Sequence, residues 1–203
     1  MRMLDLFCGR WGWSRAFAKR GWHCVGVDLI ASPDVPENCQ FDLLDVLSID
    51  NKYILWGNLD FICASSPCEQ FSVHGMKHFH PNPPYPEIGI KLFEHTRRIC
   101  EESRVPYVME NVRAAQWFAG TAKAHCGSFH LWGSGVPPIL PQGIRKGASQ
   151  MRRDGRYQRV RGIDHLMCLD KKIRAAQLAT IPPELANCVA DYAERIIEQS
   201  RTI

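Results

Sequence analysis

No apolar run in this 203-residue chain approaches the ~20 residues of a membrane-spanning helix, which argues against an integral membrane protein. The start, Met1-Arg2-Met3-Leu4-Asp5, runs straight into a strand-like segment and lacks the apolar core of a secretory signal. Nine cysteines are present, at positions 8, 24, 39, 63, 68, 100, 126, 168 and 188, but no CxxC pair is among them. Scattered in this way, several of them in apolar stretches, they read as reduced, mostly buried thiols of a cytoplasmic protein. Internal repeats, low-complexity tracts and the phosphate-cradling GxGxxG pattern are also missing. Charge of one sign is scarce overall: the net charge of +4 is too small to argue for nucleic acid by itself.

The length suits one domain with a sizeable core. Met3–Phe7 reads as a buried strand, 12–19 as the helix after it, and Trp22–Asp28 as a second strand ending on an acid. Residues 40–44 and 60–64 read as two more strands, 65–84 as a Pro-, Ser- and His-rich loop, and 86–103 as a helix with Ile88, Leu92, Ile99 and Cys100 near helical spacing. A fifth strand is expected at 105–109, another at 125–132, and an amphipathic helix at 183–197 with proline in its first turn. Strands alternating with helices imply an α/β fold with a mostly parallel sheet, and ligands at the carboxyl ends of its strands.

Three short segments carry chemistry. Asp5-Leu6-Phe7-Cys8-Gly9-Arg10-Trp11-Gly12 ends the first strand in a glycine turn, where a ligand can approach backbone and a helix N-terminus. With Asp28 closing the next strand, placed for ribose hydroxyls, this reads as a nucleoside-cofactor site, and the missing GxGxxG favours an adenosyl cofactor over a dinucleotide. Ser65-Ser66-Pro67-Cys68-Glu69-Gln70-Phe71-Ser72 puts a thiol at the tip of the fourth strand, although a lone cysteine is more often a small buried hydrophobe. Tyr107-Val108-Met109-Glu110-Asn111-Val112 brings a carboxyl group to the same sheet edge, where a partly desolvated Glu can donate a proton to a heterocycle.

Together, and in this order, these segments resemble the DNA (cytosine-5) methyltransferase family over roughly residues 1–118. DLFCGxxG is similar to its cofactor motif, SPCEQFS to its Pro-Cys nucleophile motif and ENV to its Glu-Asn-Val motif. The resemblance implies a Rossmann-like methyltransferase fold, S-adenosylmethionine as cofactor and a cytosine flipped out of duplex DNA. Cys68 would attack C6 while Glu110 holds N3 and the exocyclic amine; C5 would then take the methyl group, and loss of its proton would release Cys68. Cofactor contacts are implied for Asp5, Phe7, Cys8, Gly9, Trp11, Gly12, Asp28, Leu29 and Pro67. Asp45, in Leu44-Asp45-Val46, would meet the adenine amino group, and Thr180, in Ala179-Thr180-Ile181-Pro182-Pro183, belongs to a late segment that closes the pocket.

The chain departs from the family at several points. Trp11 replaces the first of two adjacent glycines, so its indole must pack over the cofactor or reshape the turn. Ser66 replaces a proline, and Gln158-Arg159-Val160-Arg161 approximates the QxRxR motif with one residue too few, which leaves Arg161 or Arg159 to hold the base or activate the thiolate. The single domain divides into a core (1–118), a short basic region (about 120–172) and a C-terminal helical segment (about 173–203). The basic region is too short for a separate recognition domain. Its segment from Arg145 to Arg161 holds seven Arg/Lys and one acid, Asp154, and is expected to be a surface loop. Arg145, Lys146, Arg152, Arg153, Arg156 and Arg159, with Ser72, are the candidate DNA contacts, and phosphate attraction of this kind carries little sequence information. Target specificity is therefore expected to be short or relaxed, or to come from a second subunit, a copy of the chain included. RNA, single-stranded DNA or a free nucleotide is the alternative acceptor, and a silent regulator that binds cofactor and nucleic acid is the alternative class. So compact an enzyme would suit a phage or mobile element. His74, His78 and His80 lack the paired spacing of a strong zinc site, and no metal is expected.

Overall fold

Short runs bounded by turn residues become five parallel strands: β1 (Arg2–Leu6), β2 (His23–Asp28), β3 (Cys39–Leu43), β4 (Phe61–Ser65) and β5 (Tyr107–Asn111). The computed structural model describes residues 1–32, 34–72, 86–142, 149–151, 157–159 and 180–202. Two further strands, β6 (Ala124–Cys126) and β7 (Phe129–Trp132), complete a seven-stranded sheet of order β3-β2-β1-β4-β5-β7-β6, with β7 antiparallel to β5 and to β6. The expectation of one strand over 125–132 is corrected here. Gly127, at φ 60°, turns the chain back, so the segment forms a hairpin.

The chain leaves β1 in one direction, through β2 to β3, then returns to place β4 on the other side of β1. That reversal opens a crevice at the carboxyl ends of β1, β2 and β4, where α/β sheets bind ligands. In register, Asp5 lies opposite Gly26 and Cys63, and Ser65 opposite Glu110. Side chains alternate between two cores. Met3, Cys24, Cys63 and Val108 pack beneath α1 (Ser14–Ala18) and the last helix; Leu4, Val27, Ala64 and Met109 pack on the opposite side with Phe93, Ile99 and Trp132. By the same alternation Asp5, Gly26, Ser65 and Glu110 share the α1 side.

Helix α2 (Asn51–Trp56) was not foreseen, whereas α3 (Glu87–Ser103) was. The buried stripe of α3 is Gly89, Phe93, Thr96, Ile99 and Cys100, while Ile88, expected inside, is 62% exposed. After the short α4 (Gln116–Ala119), β8 (Ser149–Met151) and β9 (Tyr157–Arg159) pair antiparallel within the basic segment, which was expected to be a loop. Helix α5 (Pro183–Arg201) buries Leu185, Ala186, Val189, Ala190, Ala193 and Ile197, an i, i+4, i+8 stripe against α1. Arg20 ties the two helices by an ion pair to Asp191 (2.6 Å), and Trp22 Nε1 donates to Glu194 (3.0 Å). The eight described cysteines are free thiols, and no described helix is long and apolar enough to cross a membrane.

Candidate active site

The turn after β1 takes its shape from left-handed residues: Phe7 at φ 59°, Gly9 at 47° and Trp11 at 63°. Glycine adopts that conformation without penalty, whereas a tryptophan gives up roughly 1–2 kcal/mol. Burial offsets the cost. The Trp11 indole is fully buried, stands edge-on to Phe41 (6.1 Å between centroids) and fills the space over Gly26. The Trp11 indole thus packs over Gly26 within the reshaped turn, with its Nε1 buried and without a protein partner.

A Cβ at Gly26 would collide with the six-membered ring of Trp11 and stand 2.9 Å from Cys8 Sγ. Gly26→Ala is expected to destabilise the protein by about 1–3 kcal/mol, as overpacking does, and to cost much less in a Trp11→Ala background. Chemical denaturation of the four proteins of this cycle measures the coupling.

The crevice at the turn is a cavity of about 170 Å³ lined by Asp5, Phe7, Cys8, Gly9, Arg10, Gly12, Trp13, Ser65, Thr180 and Ile181. Seven of these were expected at the cofactor: Asp5, Phe7, Cys8, Gly9, Gly12 and Thr180 as individual contacts, and Ile181 as part of the closing segment. Arg10, Trp13 and Ser65 were not. Thr180–Ile181 does return across the turn: a Cβ at Gly12 would lie 2.9 Å from the Ile181 nitrogen, so only glycine lets the two segments cross. Trp13 Nε1 donates to Ser65 Oγ (2.9 Å) and braces the tip of β4 against the turn.

Asp5 is the buried charge of this cavity. Its Oδ2 accepts from Ser14 Oγ (2.6 Å) and Ser14 N (3.2 Å), while its Oδ1 is buried with no hydrogen-bond partner. Burial outweighs these bonds and pushes its pKa up from 3.8 to about 7. A raised carboxylate favours folding while it is neutral, so its contribution is complete below about pH 4 and is lost as pH rises through about 7. Between pH 5 and 8 the ligand-free protein is expected to lose roughly 3 kcal/mol that Asp5→Asn does not lose, measured by denaturation at both pH values.

At the neighbouring strand ends, Asp28 accepts from Gly9 N (3.0 Å) and from Ile30 N (3.2 Å), so the expected ribose carboxylate also clasps the turn. Leu29 is 66% exposed beside it, and Asp45 is exposed, with Oδ1 capping Leu47 N (2.9 Å). These three lie outside the cavity lining, at the carboxyl ends of β2 and β3.

Cys68 lies three residues beyond β4, half-buried, after an exposed Pro67. Its carbonyl accepts from Phe71 N (3.1 Å) and Ser72 Oγ (2.9 Å), which gives Ser72, expected at the nucleic acid, an internal task. Gln70 Oε1 accepts from Gly89 N, and Phe71 packs on Phe118 (5.9 Å between centroids), so α3 and α4 both grip the loop. From the other side comes Asn111, fully buried: its Nδ2 donates to Ser66 O and Ser66 Oγ, both at 3.0 Å. Asn111 thus ties the loop carrying Cys68 to the strand carrying Glu110, which is 6% exposed and opposite Ser65. The motif ENV contained this residue, but its role as a clamp follows only from the fold. Other thiols are set for inertness: burial drives Cys63 well above its usual range and Cys100 to about 12.

Arg145, Lys146, Arg152, Arg153, Arg156 and Arg161 lie outside the described residues, as do His74, His78 and His80, and of Arg159 only its place on β9 is described. Among the described residues no cluster of three metal-ligating side chains occurs.

The sequence profile of the C-5 cytosine-specific DNA methylase family matches residues 1–119, from β1 through the Cys68 loop and Glu110 to α4. This chain belongs to that family. No curated protein shows significant similarity to it. Among solved structures, it is similar to a mutant DNMT2 of Spodoptera frugiperda (20% identity, TM-score 0.37) and to the Dnmt2 methyltransferase of S. pombe (14%, 0.42). It is also similar to the antibiotic-resistance methyltransferase Kmr (17%, 0.32). These matches cover 55%, 59% and 56% of the chain, and 35%, 37% and 59% of the respective structures, so the chain spans little more than a third of either Dnmt2 protein. The fold is the Rossmann-like one of S-adenosylmethionine-dependent methyltransferases, and S-adenosylmethionine is the cofactor of this C-5 methylase domain. The residues present fit it: a glycine turn open to an amino-acid-sized group, and a buried carboxylate oxygen still lacking a donor.

Proposed function

We propose that this C-5 methylase domain transfers a methyl group to C5 of cytosine in duplex DNA through a covalent adduct between Cys68 and C6. The observation that carries the reading is the Asn111 clamp, which holds the Pro-Cys loop and the Glu110 strand together at the edge where the cofactor crevice opens. S-adenosylmethionine supplies the electrophilic methyl group. Cys68 adds to C6 and leaves electron density at C5; Glu110 hydrogen-bonds N3 and the exocyclic amine and stabilises the charge that develops on the ring. Loss of the C5 proton then expels Cys68 and restores the aromatic ring. The target base must leave the stack for a thiol to reach C6. An arginine of the basic segment, Arg161 or Arg159, would hold the base, with its neighbours on phosphates. Trp117, 71% exposed one turn past Glu110-Asn111-Val112, offers a face on which a base could stack.

A second acceptor class, RNA, single-stranded DNA or a free nucleotide, is favoured by one observation. Only 50 residues, 133–182, separate β7 from α5, too few for a separate recognition domain. The reading as a silent regulator has against it the presence of Cys68 and Glu110, which catalysis would use. Tritiated S-adenosylmethionine incubated with duplex DNA, single-stranded DNA, RNA or dCMP separates these readings. Label in duplex cytosine supports the first; label in another acceptor alone replaces it with the second; cofactor binding without transfer to any acceptor rejects both.

A further inference from the structure

Among the described residues, the lining of the crevice at the glycine turn has one carboxylate, Asp5, and one cation, Arg10. The amino-acid end of S-adenosylmethionine carries one ammonium and one carboxylate. We infer that Arg10 is the counter-ion of the cofactor's carboxylate, so that the turn reads a zwitterion, with Asp5 toward the ammonium and Arg10 toward the carboxylate. The inference rests on the cofactor assignment of the crevice and adds a specificity residue to it.

Three observations support Arg10. Asp5 Oδ1 is buried without a partner, which marks where a donor belongs and so sets the polarity of the ligand. Arg10 is exposed, and among the described residues no ion pair involves Arg10, Arg15 or Lys19. Its backbone is held by the Nε of Arg15, which donates to the Arg10 carbonyl (3.4 Å). The same three cations line an adjoining cleft of about 370 Å³ in which no described lining residue is an acid. Arg15 of α1 and Lys19 at its C-cap, four residues apart, repel each other. This edge of the crevice is thus charged for an anion, and a planar guanidinium fork matches a carboxylate better than an ammonium does.

The test compares S-adenosylmethionine with its decarboxylated form, which keeps the ammonium and sulfonium and lacks only the carboxylate, by isothermal titration calorimetry on the full chain. Arg10→Ala is expected to weaken S-adenosylmethionine by about tenfold or more, and the decarboxylated form by less than about twofold. Arg10→Lys should recover part of the loss. Lys19→Ala, on the adjoining cleft only, should leave both affinities within about twofold. Equal losses for both ligands in Arg10→Ala, no loss for either, or a Lys19→Ala effect as large as that of Arg10→Ala would overturn the assignment. A wild-type protein that binds neither ligand would instead overturn the cofactor site itself, and a wild type that binds both with variants that fail the comparison isolates the error to Arg10. Because Arg10 is exposed, its variants should melt with the wild type, which thermal unfolding checks.

Discussion

Cys68→Ala is expected to lower methyl transfer by at least about a thousandfold, while S-adenosylmethionine affinity stays within about twofold. The size follows from the chemistry. C5 of cytosine is a poor nucleophile until something adds at C6, and among the described residues the nearby thiols Cys8 and Cys63 are pushed up by burial. Cys63, five residues earlier, is fully buried and held protonated. Binding should persist because Cys68 is outside the lining of the crevice. A second readout isolates the covalent step: with 5-fluorocytosine in the acceptor, methylation leaves no C5 proton to lose and the adduct is trapped. Wild type should run as a denaturant-resistant complex with the acceptor, and Cys68→Ala should not. Transfer within tenfold of wild type by Cys68→Ala would end the covalent reading, whatever the acceptor.

That this loop can hold a nucleophile at all depends on contacts that no motif spells out. Ser66 is gripped by Asn111, Gln70 by the backbone of Gly89, and Phe71 by Phe118. Each partner is distant in sequence and close only once the sheet is ordered. Such pairings are tertiary, so a strand-by-strand reading does not contain them. The strands themselves were legible, because Leu4, Val25, Ile62 and Val108 sit in short apolar runs between turn residues, the mark of strands buried on both faces. Helix α2 was missed because Asn51–Trp56 is too short to show a period. The hairpin of β6 and β7 was missed because Gly127-Ser128 interrupts a run whose hydrophobic pattern otherwise continues.

The turn after β1 shows the opposite failure. Trp11 was conspicuous, and its position in the motif suggested the cofactor. Whether an indole faces ligand or core is decided by what stands opposite it, and the vacancy over Gly26 in the neighbouring strand draws it inward. Arg10, one residue earlier, was quoted within the motif and passed over.

Glu110→Gln is expected to lower turnover by roughly 10²–10⁴-fold, with S-adenosylmethionine affinity nearly unchanged and the melting midpoint within a few degrees of wild type. Glutamine keeps the shape and one acceptor oxygen, so β5 keeps its pairing with Ser65 on one side and Leu131 on the other. What it loses is the ability to pass a proton or a strong charge-assisted hydrogen bond to the ring nitrogen as electron density builds there. A carboxyl group in a central strand, 6% exposed, is an expensive residue for folding alone. If Glu110→Gln melted far below wild type, the carboxyl would be holding the sheet, and its loss of activity would say nothing of chemistry. If turnover stayed within tenfold, Glu110 would not be the group that receives the developing charge, and the acid would have to come from elsewhere on the Cys68 loop. Only a folded, cofactor-binding and slow enzyme fits a carboxyl that works in the transition state.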